Sequence, residues 1–169
     1  MFVLAVEARN STVKAIRVAN AGVSSSATSG WVGAGAFDSL ATIRAYAPDL
    51  TIINLGINDA RLPLAAATYR SRLETIVAAA DDSGDIVVQS VVPSGTSTNP
   101  DPAYEALYRD ETLDLFLDSA GAISYIDIMA RYGSYAIANP LGWYYDTIHP
   151  ATAGYADTAG AARQFIQAV

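Results

Sequence analysis

The chain has 169 residues, a length typical of one domain with a single hydrophobic core. Seventeen acidic residues against ten scattered basic ones give a formal charge of −7, which argues against a nucleic-acid partner because phosphate binding needs clustered Lys and Arg. The absence of cysteine excludes disulfides and a thiolate nucleophile, and a single histidine excludes a multi-histidine metal site.

The chain opens with the apolar segment MFVLAV (1–6), which is too short for the apolar core of a secretory signal. No later apolar run approaches the roughly 20 residues that a membrane-spanning helix requires. We therefore expect a soluble protein with no membrane partner, and the sequence leaves its compartment open.

Four short runs of apolar and β-branched residues, each ended by turn formers, predict buried strands. They are KAIRVANAG (14–22), LTIINLGIND (50–59), DIVVQSVVP (85–93) and AISYIDI (122–128).

Helical patterns separate these strands and close the chain. The predicted helices span residues 39–47, 64–84, 102–121 and 151–169. In the second helix the apolar stripe consists of Leu73, Ile76, Val77 and Ala80, and in the third it consists of Leu107, Leu113, Phe116 and Leu117. The alternation predicts one α/β domain over residues 1–169, a three-layer α/β/α sandwich around a mostly parallel, flavodoxin-like sheet.

Ligands of such sheets bind beyond the carboxyl ends of the strands, where the strand-end turns converge. The amide of Asn58, in "LGIND", and the backbone N–H of Gly22, in "NAGVSSS", are candidate donors to a developing oxyanion. Each motif is equally compatible with an ordinary turn. The other strand-end residues at this edge are Asn20, Gly56, Asp59, Pro93 and Ser94.

The only histidine, His149, follows Asp146 by three positions in the sequence DTIHP. An imidazole that accepts a hydroxyl proton and a carboxylate that orients it are two members of a Ser-His-Asp triad. A turn can bring two residues at this spacing together, although the same segment is also compatible with a surface loop.

The order and positions of these motifs resemble the SGNH/GDSL hydrolases. Asn20-Ala-Gly22 matches the NxG turn of that family, Gly56-Ile-Asn58-Asp59 matches GxND, and Asp146-Thr-Ile-His149 matches DxxH. The continuation HPATAGYADTA and the preceding YIDI are also similar to family blocks, so the resemblance covers essentially the whole chain.

The resemblance implies a carboxylic ester hydrolase that works through an acyl-serine intermediate, without metal or cofactor. In that reading Gly22 and Asn58 are the oxyanion donors, His149 is the general base and Asp146 orients it. The implied substrates are small acyl esters or O-acetylated carbohydrate.

The Gly-Asp-Ser block that carries the family's nucleophile is not found in this sequence. Ser11 is too close to Asn20 for a parallel crossover, and Ser39 in AFDSL reads as the start of a helix rather than the end of a strand. Ser24, Ser25 and Ser26 lie near the predicted crevice, but the oxyanion site would have to be rebuilt around them. The nucleophile is therefore unknown, and the domain reads as truncated at its amino terminus.

Loss of the family's first strand would leave apolar surface and unpaired backbone groups at the centre of the sheet. We expect self-association, a swapped segment or a rearranged MFVLAV strand to fill this gap, the first two of which predict a homo-oligomer. A non-catalytic carbohydrate-binding or structural module of the same fold is the alternative function, and a flavodoxin-like phosphate binder is a weaker one.

Two loops are candidates for substrate specificity, VVPSGTSTNPDPAYE (91–105) and ARYGSYAIANPLGWYY (130–145). The second contains Trp143, Tyr144 and Tyr145, aromatic side chains that either stack on a sugar or pack the loop.

Overall fold

The computed structural model describes residues 18–33, 39–62, 64–81, 84–96 and 99–167. Within these ranges the strands are β1 (Leu50–Asn54), β2 (Asp85–Gln89) and β3 (Ser124–Ile126). The helices are α1 (Thr28–Val32), α2 (Ser39–Tyr46), α3 (Ala66–Asp81), α4 (Pro102–Asp118), α5 (Ile128–Tyr132), α6 (Tyr135–Ala138) and α7 (Thr152–Gln167), with a 3₁₀ turn at Asn139–Leu141.

The three strands form a parallel sheet in the order β1-β2-β3. Ile53 of β1 pairs with Val88 of β2, and Gln89 pairs with Ile126 of β3. The central strand β2 is buried from Ile86 to Gln89, as its continuous apolar sequence predicts.

Each face of the sheet carries its own hydrophobic cluster. On one face, side chains of β1 and β2 pack against α3 and α4, and the buried members include Ile53, Tyr69, Leu73, Ile76, Ile86, Val88, Tyr108 and Leu115. On the other face the buried members are Val87, Ile126, Ile128, Tyr132, Ala138, Tyr144 and Ala161. Helices therefore cover both faces, and the predicted three-layer α/β/α architecture is confirmed.

The first predicted strand, 14–22, is not a strand over residues 18–22, while 14–17 lie outside the described residues. Residues 18–22 are exposed and have no regular structure. The Gly22 N–H donates to the Asn20 side chain at 2.9 Å, a local turn contact in place of a sheet hydrogen bond.

The last predicted strand is shorter than expected, because Asp127 ends it. The Asp127 side chain accepts a hydrogen bond from the Ala130 N–H and caps α5, a helix that the sequence analysis did not predict.

The predicted apolar face of α4 is correct in part, because Phe116 packs against the core, but Leu107 and Leu117 do not. Leu107 and Leu117 are 46% and 62% exposed, whereas the buried side chains are Glu105, Tyr108, Thr112 and Leu115. The buried set still follows helical spacing, but polar side chains contribute to it, so a pattern of apolar residues alone identifies only part of the face. No helix in the described ranges is both long enough and apolar enough to cross a membrane.

Candidate active site

The turn that follows β1 requires glycine at position 56. Gly56 has φ +124°, and a Cβ atom there would lie 2.5 Å from Cγ1 of Val91. Beside the turn, the Asn54 amide donates to Oε1 of Gln89 at 2.9 Å. The close approach of Gly56 to Val91 holds the 56–59 turn against the segment that follows β2.

Asn58 in this turn contacts the segment that contains the NxG motif. Its Nδ2 donates to the carbonyl oxygen of Ser26 at 3.1 Å, and the side chain is half-buried. A primary amide has two N–H donors. One is used by Ser26, and within the described chain no second partner is found for the other.

Asp59 holds the same segment through hydrogen bonds to Thr28. Its buried carboxylate accepts hydrogen bonds from the backbone N–H of Thr28 at 3.0 and 3.1 Å and from the Thr28 hydroxyl at 2.5 Å. Arg72 lies 3.9 Å away and balances part of the charge. These contacts hold the start of α1 on the GxND turn.

Gly22 lies four residues before Ser26 in the same segment and is exposed. Its N–H is occupied by the Asn20 side chain. In this arrangement the Gly22 N–H can serve an oxyanion only after the Asn20 side chain rotates away.

Asp146 and His149 form a hydrogen-bonded pair. Nδ1 of His149 lies 2.8 Å from Oδ2 of Asp146, while the backbone N–H groups of Ile148 and His149 both donate to Oδ1 at 2.7 Å. These bonds lower the pKa of the Asp146 carboxyl to about 2, the backbone N–H of His149 contributing most. The carboxylate is therefore ionised at neutral pH and orients an imidazole that is 68% exposed.

The turn that carries the pair is held by the loop that follows β2. The Gly95 N–H donates to the carbonyl oxygen of Thr147 at 2.6 Å, and the Tyr144 hydroxyl donates to the carbonyl oxygen of Pro93. Within the turn, the Tyr145 N–H donates to the carbonyl oxygen of His149 at 2.9 Å.

The aromatic cluster divides into two packing residues and one exposed residue. Trp143 and Tyr144 contact the ring of Tyr132 edge-on at centroid distances of 4.9 and 5.7 Å, and Tyr144 also contacts Tyr135 at 4.8 Å. Tyr145 is 84% exposed. Of these three residues, only Tyr145 remains available to stack on a ligand.

The candidate serines are placed differently from one another. Ser24 and Ser25 are exposed in a turn where Ser25 has φ +60°, Ser26 contacts Asn58 through its carbonyl oxygen, and Ser39 begins α2. Ser11 lies outside the described residues. Within the described chain, no serine hydroxyl forms a hydrogen bond with His149, and no group of three metal-ligating side chains occurs.

Sequence reasoning missed two residues that build this edge, Thr28 and Glu105. Thr28 shows no signal beyond its place near the NxG motif. Glu105 falls on the buried face of α4, and the helical spacing from Tyr108 and Thr112 is the signal that could have identified it.

Comparison with solved structures identifies esterases of similar fold. A catalytic mutant of an acetylxylan esterase from Geobacillus stearothermophilus has a TM-score of 0.53 and 20% identity, over 71% of this chain and 60% of its own. A peptidoglycan O-acetylesterase has a TM-score of 0.56 and 16% identity, over 78% and 42%. A mutant of the esterase AlinE4 has a TM-score of 0.54 and 20% identity, over 90% and 77%.

The matched region spans 60% and 42% of the length of the first two of these structures. No curated protein sequence gives a significant match. The profile of the GDSL-like lipase/acylhydrolase family matches residues 4–156, which include the NxG, GxND and DxxH turns. The chain therefore belongs to the GDSL-like lipase/acylhydrolase family.

Proposed function

We propose that this chain is a serine-type carboxylic ester hydrolase whose general base is His149. The observation that carries the proposal is the 2.8 Å contact between Nδ1 of His149 and Oδ2 of Asp146. Because that contact occupies Nδ1 and the imidazole is 68% exposed, the second ring nitrogen, Nε2, is left as the proton acceptor.

In the proposed reaction Nε2 takes the proton of a serine hydroxyl while the hydroxyl oxygen attacks the ester carbonyl. The tetrahedral intermediate collapses, the alcohol leaves with the proton from the imidazolium, and water then hydrolyses the acyl-serine by the same steps. The proposed oxyanion donors are the second N–H of the Asn58 amide and, once the Asn20 side chain rotates away, the N–H of Gly22. Each is worth about 3 to 4 kcal/mol of the barrier.

We propose small acyl esters or O-acetylated carbohydrate as substrates, with no metal or cofactor. Similarity in fold to an acetylxylan esterase and a peptidoglycan O-acetylesterase supports this substrate class. The acetylxylan esterase structure is that of a catalytic mutant in which a serine is replaced by alanine, which supports a serine mechanism.

A non-catalytic carbohydrate-binding module is the second candidate. It is favoured by one specific observation, the lack of any serine hydroxyl bonded to His149 within the described chain. In that case the exposed ring of Tyr145 would bind sugar without turnover.

We also propose that a second copy of the chain covers the outer side of β1. Ile52, in the middle of this strand, is 42% exposed, and among the described residues β1 pairs with a strand on one side only. A half-covered apolar strand edge favours association.

Hydrolysis of p-nitrophenyl acetate separates the two functions. We expect turnover by the purified chain and a loss of about a hundredfold to ten-thousandfold in kcat for both His149→Ala and Asp146→Asn. The matched control is Asp114→Asn, which removes a carboxylate from the exposed surface of α4. Absence of turnover would favour the binding module, and equal rates for all three variants would contradict the proposed role of His149.

A further inference from the structure

Glu105 is a buried acid on α4 to which the proposed mechanism gives no role. The residue is 2% exposed. Its Oε2 accepts a hydrogen bond from the Ser94 backbone N–H at 3.0 Å, while Oε1 is buried without a partner among the described residues. Burying a carboxyl group with one oxygen unpaired is energetically unfavourable, so the presence of Glu105 at this position calls for an explanation.

Ser94 lies between the two residues that hold the Asp146–His149 turn. On one side Pro93 accepts the hydrogen bond of the Tyr144 hydroxyl, and on the other Gly95 donates to Thr147. Thr147 lies between the two members of the pair in sequence. The three consecutive residues 93–95 therefore connect Glu105 to the turn.

The connecting loop has little room to move. A Cβ atom on Gly95 would lie 2.5 Å from Cε1 of Tyr135, so the loop backbone rests on that ring. The hydroxyls of Ser94 and Thr96 are hydrogen-bonded to each other at 2.9 Å, and Thr96 donates to the carbonyl oxygen of Pro100 at 2.5 Å. A displacement at Ser94 would be passed to its neighbours rather than absorbed by the loop.

We propose that Glu105 is a positioning residue for the Asp146–His149 pair, acting through the Ser94 backbone and the 93–95 loop. The effect of Glu105 on catalysis depends on the proposed function. Its effect on the geometry of the Asp146–His149 pair does not, because that geometry can be measured without turnover. Burial raises the pKa of the Glu105 carboxyl, and the hydrogen bond accepted from Ser94 opposes that rise.

The test uses His149 as its own reporter, since the chain contains a single histidine. Nitrogen-15 NMR of the ring identifies the Nδ1–H tautomer that the contact with Asp146 stabilises. We expect Glu105→Ala to shift the ring signals toward a mixture of tautomers. We expect Glu105→Gln to restore the wild-type signals, because its amide oxygen can accept from Ser94.

The matched control is Leu115→Ala on the same helix, a buried residue of the hydrophobic cluster. It should lower the melting temperature and leave the ring signals of His149 unchanged. If Glu105→Ala does not fold, Glu105→Asp takes its place, since the shorter side chain withdraws the carboxyl from Ser94. Wild-type ring signals in a folded Ala or Asp variant, or an equal shift in Leu115→Ala, would overturn the proposal.

Kinetics provide the second readout. In an active enzyme, Glu105→Ala should lower kcat by about tenfold to a hundredfold with KM nearly unchanged, as misplacement of a catalytic group does. A wild-type chain without turnover would refute the proposed function, while the ring signals of His149 would still decide the role of Glu105.

Discussion

At the scale of single residues, the hydrogen bonds of the turn keep the Asp146 carboxyl ionised well into the acidic range. Its folded pKa of about 2 lies below the ordinary value of 3.8, so its contribution to stability is present above pH 3.8. That contribution is lost as the pH falls through about 2. The carboxylate therefore remains charged throughout the neutral and mildly acidic range.

A carbon-13 NMR titration of the Asp146 carboxyl measures its pKa directly. We expect a midpoint near 2 in the wild type and a higher midpoint in His149→Ala that still lies below 3.8, because the backbone N–H groups of residues 148 and 149 continue to donate. A wild-type midpoint at 3.8 would contradict the hydrogen-bond geometry of the turn.

At the scale of the element, α4 shows which face of a helix supports the site. Leu115 is buried against the sheet and Leu117 is 62% exposed, although both are leucines two positions apart. We expect Leu115→Ala to lower the free energy of unfolding by about 2 to 5 kcal/mol. We expect Leu117→Ala to change it by about 0.5 kcal/mol or less. Urea denaturation measures both, and similar losses would mean that the buried face has been assigned incorrectly.

Local contacts of the site can be predicted from the sequence, whereas contacts between distant segments cannot. The Asp146–His149 pair can be predicted because its hydrogen bonds are local, three residues apart in one turn. The role of Glu105 cannot be predicted, because its partner Ser94 lies in the loop after β2. An acidic side chain also normally indicates a position exposed to solvent. The strands β1 and β2 follow from their apolar runs, whereas the start of α5 depends on the capping side chain of Asp127.

At the scale of the whole molecule, the open side of β1 predicts self-association. We expect light scattering with size-exclusion chromatography to give a mass that rises with concentration, and Ile52→Lys to shift the population toward monomer. Leu107→Lys is the matched control, since Leu107 is 46% exposed against 42% for Ile52 but lies on α4. A monomeric wild type at every concentration would contradict the proposed association.

The proposed mechanism requires that His149 activate a serine for attack on an ester. Fluorophosphonate labelling followed by peptide mass spectrometry tests it most directly, because the probe reacts with activated serines and the labelled peptide identifies the residue. We expect one labelled serine in the wild type and labelling slower by about a hundredfold or more in His149→Ala. An unlabelled wild type, or labelling at the same rate without the imidazole, would contradict it.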